Sequence, residues 1–109
     1  MYGTIQRGKV KKESVRELMA LGKEWDSLWR KRTVGYISSE LLWCDDGGGR
    51  FCMIVHFTSR EAYRKNSESP EMDAFYRRIR ACLEADPEWT DGTFPQWDDP
   101  YAQVPAFDD

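Results

Sequence analysis

His56 is the only histidine in the chain, so proton transfer near neutral pH starts from it. It stands in the apolar run Phe51–Phe57 (FCMIVHF). Glu40 falls opposite it if the preceding run folds back with Cys44 across from Cys52. A facing carboxylate would orient the imidazole and raise its basicity, as in a general acid/base pair. The same two side chains would equally make a paired polar spot in an interface, and a lone histidine on an apolar strand more often fills a core. Asn66 and Tyr76 are the other candidates, because an amide or hydroxyl buried among apolar side chains needs a partner and a ligand can be that partner. Trp25, Trp29, Trp43, Phe57, Tyr63 and Met72 supply the walls of a flat apolar pocket that would bind substrate, or the filling of an ordinary core.

Other chemistries lack their residues. Cys44, Cys52 and Cys82 have neither CxxC spacing nor neighbouring histidines, so no metal site is expected and the three read as reduced core thiols. Gly47, Gly48 and Gly49 belong to a turn without a phosphate-loop sequence around it. All 16 Lys and Arg lie at or before Arg80, against 11 acids there, and the remaining eight of the 19 acids follow it. An acidic tail that competes for the basic part makes nucleic acid a poor partner. No apolar run approaches the roughly 20 residues of a bilayer span, and the amino-terminal segment lacks the apolar stretch of a signal peptide, so no membrane partner and a cytoplasmic location are expected.

The elements that must position these residues follow from period and punctuation. Residues 2–10 read as a strand with Tyr2, Thr4 and Gln6 on one side. Ser14 and Glu17 form a capping box for a helix to about Arg32, with Val15, Leu18, Met19, Trp25, Leu28 and Trp29 at helical spacing and Gly22 permitting close packing or a break. Residues 34–43 and the run from Phe51 form a hairpin, with Ile37, Ser39, Leu41 and Trp43 on the side of Phe51, Met53, Val55 and Phe57. Thr58 and Glu61 box the start of a short helix, and Ser69 and Pro70 open a long one striped by Met72, Phe75, Tyr76, Ile79, Cys82 and Leu83. A last short strand lies between Trp89 and Trp97. Residues 98–109 are an acidic arm, anchored on the body or on a partner subunit by Trp97, Tyr101, Val104 and Phe107.

Strand, helix, strand, strand, helix, strand is an α+β order, the ferredoxin-like split β-α-β sandwich with helices on one side of an antiparallel sheet. The strand at 51–57 is apolar on both sides, so the bare side needs cover from a second copy: a homodimer.

The segment HFTSREAYRKNSESPEMDAFYRRIRACLEADPEW, from His56 to Trp89, resembles the strand, Ser-x-x-x-aromatic helix start and following long helix of antibiotic-biosynthesis-monooxygenase-like (ABM) proteins. By element order the likeness extends over residues 1–97, with the arm outside it. It implies a dimeric α/β barrel, and activities ranging from cofactor-free oxidation of phenols and quinols to oxidative opening of haem. Where the haem-degrading branch has an Asn, a Trp and a His, this chain has Gln6, Asn66 and Tyr76; a tyrosine can also bind ferric haem. The resulting expectation is a small cofactor-independent monooxygenase acting on an aromatic or polyketide-like molecule, with no metal, Asn66 or Tyr76 holding the substrate oxygen and His56 as base. The alternatives are a non-catalytic dimeric binding or interaction module of the same fold, and haem binding through Tyr76.

Overall fold

The apolar run around His56 becomes an interior strand of a four-stranded antiparallel sheet in the computed structural model, which describes residues 1–107. The strands are β1 (Tyr2–Lys9), β2 (Tyr36–Trp43), β3 (Arg50–Phe57) and β4 (Glu88–Thr93), in the order β2-β3-β1-β4. The helices are α1 (Val15–Glu24), a π-helical turn (Trp25–Trp29) running into α2 (Arg30–Arg32), then α3 (Arg60–Ser67) and α4 (Pro70–Ala81). This is the α+β ferredoxin-like fold, with α1, α3 and α4 over one face of the sheet. Val10, Leu18, Leu21, Phe51, Phe75, Cys82 and Leu83 form a closed core where β1 ends and β3 begins. Lys11 N donates there to Cys82 O at 2.8 Å and ties the strand to the end of α4. No helix among the described residues is long and apolar enough to cross a membrane.

Local signals set most of the boundaries, with corrections. Ser69 Oγ accepts from Met72 N at 3.0 Å, capping α4 ahead of Pro70 as expected. For α3 the cap is Ser59, which accepts from Ala62 N at 3.2 Å, and not Thr58. Thr58 N is still tied to Gly35 O at 2.8 Å, so the chain leaves the sheet one residue later than the capping-box reading placed it. Ser14 makes no side-chain cap either, because a 3-10 turn (Lys12–Ser14) leads directly into α1. The π turn alters the phase of the following stripe. Leu28 is therefore exposed while Trp25 and Trp29 stay half-buried. Leu21, ahead of the π turn and outside the expected stripe, is almost fully buried. Gly22 serves no close packing: a Cβ there would meet nothing within 4 Å.

The hairpin register differs from the assumed one by two residues. Cys44 N donates to Arg50 O at 3.0 Å, and Gly47, Gly48 and Gly49 turn the chain with φ of +78°, +72° and +77°, so Leu42 faces Cys52 and Trp43 faces Phe51. Glu40 consequently opposes Ile54, and Ser38 opposes His56. An even slip leaves each side chain on its expected side of the sheet. The exception is a bulge after Tyr36, which brings Tyr36 opposite Phe57 on the helix-covered side in place of Ile37.

Across the bare face the chain beyond β4 lays Phe94 on His56, with ring centroids 4.3 Å apart. Further on, the expected anchors do not seat on this chain. Trp97, Tyr101 and Phe107 are each more than 80% exposed and Val104 is 54% exposed. Asp108 and Asp109, the end of the acidic arm, lie outside the described residues.

Candidate active site

Between the sheet and the helices lies a cavity of about 1080 Å³. Its floor is the side of the sheet that carries Thr4 and Gln6 from β1 and Met53, Val55 and Phe57 from β3. Its roof is built from three helices: Leu21 and Trp25 at the end of α1, Tyr63 and Asn66 from α3, and Met72 and Tyr76 from α4. The α4 stripe faces the sheet because its apolar residues recur every three to four positions, and α3 is held at the rim by the Ser59 cap. The walls are mainly apolar, so each polar group on them stands out.

Gln6 is the first of these. It is 6% exposed, its side chain lines the cavity, and its Nε2 has no hydrogen-bond partner among the described residues. A buried amide donor without an acceptor costs about 1–3 kcal/mol, and a ligand oxygen is the natural acceptor for a group in this place. Thr4, two residues earlier, donates to Thr90 O at 3.3 Å. Tyr63 donates to Asp91 Oδ1 at 3.0 Å, and burial, aided by Asp91 and partly offset by the hydrogen bond with Thr4, pushes the Tyr63 hydroxyl up to about 12. Burial also raises the Tyr76 hydroxyl, with Asp86 adding to the effect, so Tyr76 is a hydrogen-bond donor across the neutral range. Its ring packs on Trp89 at 5.8 Å.

The structure gathers six of the nine candidate residues around this cavity: Trp25, Phe57, Tyr63, Asn66, Met72 and Tyr76. The other three lie elsewhere. Trp29 packs on Phe75 at 6.0 Å and donates through Nε1 to Glu24 at 2.9 Å, outside the cavity lining. Trp43 is 40% exposed at the sheet edge and packs on Phe51. His56 points to the bare face, under Phe94, with Nδ1 buried and unpaired. Thr4 and Asp91 were missed as site residues. Thr4 was legible from the alternation of Tyr2, Thr4 and Gln6, whereas Asp91 reaches the site only through the pairing of β1 with β4, which sets it opposite Thr4. Among the described residues no three His, Cys, Asp or Glu side chains gather as metal ligands would.

Residues 1–78, which supply the cavity floor and most of its roof, match the family model for antibiotic biosynthesis monooxygenase. The chain belongs to this family. Solved structures of ABM type share the fold. SnoaB, a cofactor-independent oxygenase from Streptomyces nogalater, superposes with a TM-score of 0.74 at 19% identity, covering 87% of this chain and 93% of that one. A conserved protein from Methanosarcina mazei Go1 gives 0.72 at 17% identity over 83% and 88% of the two chains. A search of the curated proteins finds no match. At these identities the structural likenesses speak for the ABM fold alone.

Proposed function

We propose that this ABM protein is a cofactor-independent monooxygenase that oxidises an electron-rich phenol or quinol, such as an anthrone or a polyketide-like aromatic, within the cavity between sheet and helices. The observation that carries this reading is the unpaired Gln6 Nε2 on the floor of an apolar space of about 1080 Å³. An amide hydrogen aimed at a substrate oxygen stabilises the charge that develops when the phenol loses its proton, and does so more strongly in an apolar site than in water. The phenolate then gives an electron to dioxygen. For a reactive CH₂ group one oxygen atom enters as the new carbonyl and the other leaves as water with the two hydrogens, so the substrate supplies all the electrons. The chain's own part is to bind the flat ring, exclude water, orient the oxygen and take the proton. Trp25, Phe57 and Met72 offer ring-contacting surface, and Tyr76 and Asn66 offer further polar contacts on the opposite wall. SnoaB, described as a cofactor-independent oxygenase, supports this chemistry in the same fold.

The working unit in this proposal is a homodimer. The bare face presents Ile5, Ile54 and Leu42 around His56, whose buried Nδ1 lacks a partner, and a second copy would both cover the apolar surface and offer that nitrogen a hydrogen bond. His56 therefore has an interface role here and not that of the base.

The test is oxygen consumption with a panel of hydroquinones and anthrones, for wild type, Gln6→Leu and Tyr76→Phe. Turnover that falls at least tenfold in Gln6→Leu is the expected result. Tight binding without turnover would mark a binding module of the same fold, and neither binding nor turnover on any of the panel would sink the proposal.

A further inference from the structure

We infer that Tyr63 and Asp91 form a proton exit from the cavity: Tyr63 Oη accepts the phenolic proton of the substrate as its own proton passes to Asp91, which releases it to water. This rests on the reading of the cavity as a phenol-oxidising site. The Tyr63 hydroxyl is 3.0 Å from Asp91 Oδ1 and already donates to it, and beside its hydrogen bond with the Thr4 side chain the oxygen keeps one lone pair that can accept a proton from the cavity side. The ring is held by Phe57 and Tyr2, at centroid distances of 5.5 and 5.6 Å, which fixes the direction of the hydroxyl.

Asp91 stands on both sides of this wall. It borders the cavity, and it also lines a separate surface cleft of about 470 Å³ with Met1, Tyr2, Ser59 and Arg60. Situated on the edge strand β4 and exposed, it can hand a proton to solvent on the outer side of the sheet edge. The other carboxylates at the cavity are already engaged: Asp26 pairs with Arg30 at 3.1 Å and Asp73 with Arg77 at 3.0 Å. Tyr76 has the Trp89 ring beside it and, among the described residues, no carboxylate hydrogen-bonded to its hydroxyl. Tyr2, Thr4 and Asp91 are the polar and titratable groups that face Tyr63 from the strands beneath it. The transfer balances as acid–base chemistry: one O–H bond breaks in the phenol, one forms and one breaks at Tyr63, and one forms at Asp91. The products are phenolate, neutral tyrosine and neutral aspartic acid, with no electron moved.

The test uses 4-nitrophenol, whose phenolate absorbs where the phenol does not, so proton loss is followed without turnover. After a rapid rise in pH, ionisation of the bound probe is timed in wild type, Tyr63→Phe, Asp91→Asn and Asp91→Glu, with probe affinity and thermal melting measured for each. With the probe saturating, Tyr63→Phe and Asp91→Asn are expected to slow ionisation by about tenfold or more, and Asp91→Glu to recover most of the rate. Unchanged rates with the probe bound overturn the exit route and leave the cavity reading standing. A slow Asp91→Asn beside a normal Tyr63→Phe also overturns it, since Asp91 would then act without the tyrosine. Should 4-nitrophenol not bind, the same pH jump is read on the tightest-binding hydroquinone of the panel; if neither the probe nor any member of the panel binds wild type, the cavity reading fails and the exit route falls with it.

Discussion

Glu24 grips Arg78 with both carboxylate oxygens, 2.8 and 2.9 Å from the two guanidinium nitrogens, while Trp29 Nε1 donates to the same carboxylate at 2.9 Å. The contact joins the end of α1 to α4 where the π turn begins, and so fixes the roof of the cavity at one side.

The first prediction concerns acid. The hydrogen bond from Arg78, followed by that from Trp29, holds the Glu24 carboxyl below its ordinary value of 4.5. A lowered folded-state pKa means that this stabilisation is complete above the unfolded value and is lost as pH falls through the folded one. Glu24→Gln should therefore lower the urea midpoint at pH 7, and the gap from wild type should narrow as pH falls below 4.5. A gap that persists unchanged to pH 3 would remove the ion pair from the account.

Gln6 sets stability against binding. Replacing it with Leu or Met removes an unpaired buried donor, so the apo protein should gain about 1 kcal/mol in chemical denaturation. The same variants should bind phenols and quinols at least about fivefold more weakly, a loss of roughly 1 kcal/mol of hydrogen bonding. Fluorescence titration beside denaturation would show whether the two effects move in opposite directions.

These residues also show how far a sequence can be read. The α4 stripe and the Ser69–Pro70 start were legible because local chemistry alone decides them, and the faces of β1, β2 and β3 were legible because strand side chains alternate. What was not legible depends on tertiary geometry. The turn through Gly47, Gly48 and Gly49 chose a register two residues from the symmetric guess, and the π turn left Leu28 exposed, while Leu21, ahead of that turn in α1, joined Leu18 in the core. Asp91 lies 28 positions from Tyr63 in sequence and meets it only after β4 pairs with β1. His56 attracted a catalytic reading by being the sole histidine, yet its face of the sheet is the one without helices.

Gly3 is a backbone contact as much as a residue. A Cβ at this position would overlap the Val55 carbonyl oxygen and press on the Phe94 ring at 2.9 Å. Gly3→Ala should cost about 3 kcal/mol or more, because the atom it meets first is backbone and cannot swing aside. Thermal melting of the variant checks this, and a loss below about 1 kcal/mol would contradict the strand geometry.

Alkaline pH should expose Tyr63. Its hydroxyl is pushed up to about 12 from 10, chiefly by burial and in part by the bond to Asp91. The folded protein therefore keeps a proton that the unfolded chain releases near pH 10, and stability declines as pH rises from about 10 to about 12. Asp91→Asn removes the carboxylate charge but not the burial, so Tyr63 should titrate lower than in wild type and still above 10. Tyrosine ring-carbon NMR titration reads both values directly.

The β2–β3 hairpin has, in effect, a reading frame of two. Because its displacement from the symmetric pairing is an even number of residues, Leu41 still looks toward the helices and Glu40 away from them. A one-residue shift of β2 along β3 would swap the two, placing a carboxylate in the wall of the aromatic chamber, whereas a two-residue shift would leave each on its side. The kink after Tyr36 is the one place where the strand already changes frame, and it does so beyond the last residues that line the chamber. Slippage of this hairpin is thus constrained by parity more than by size.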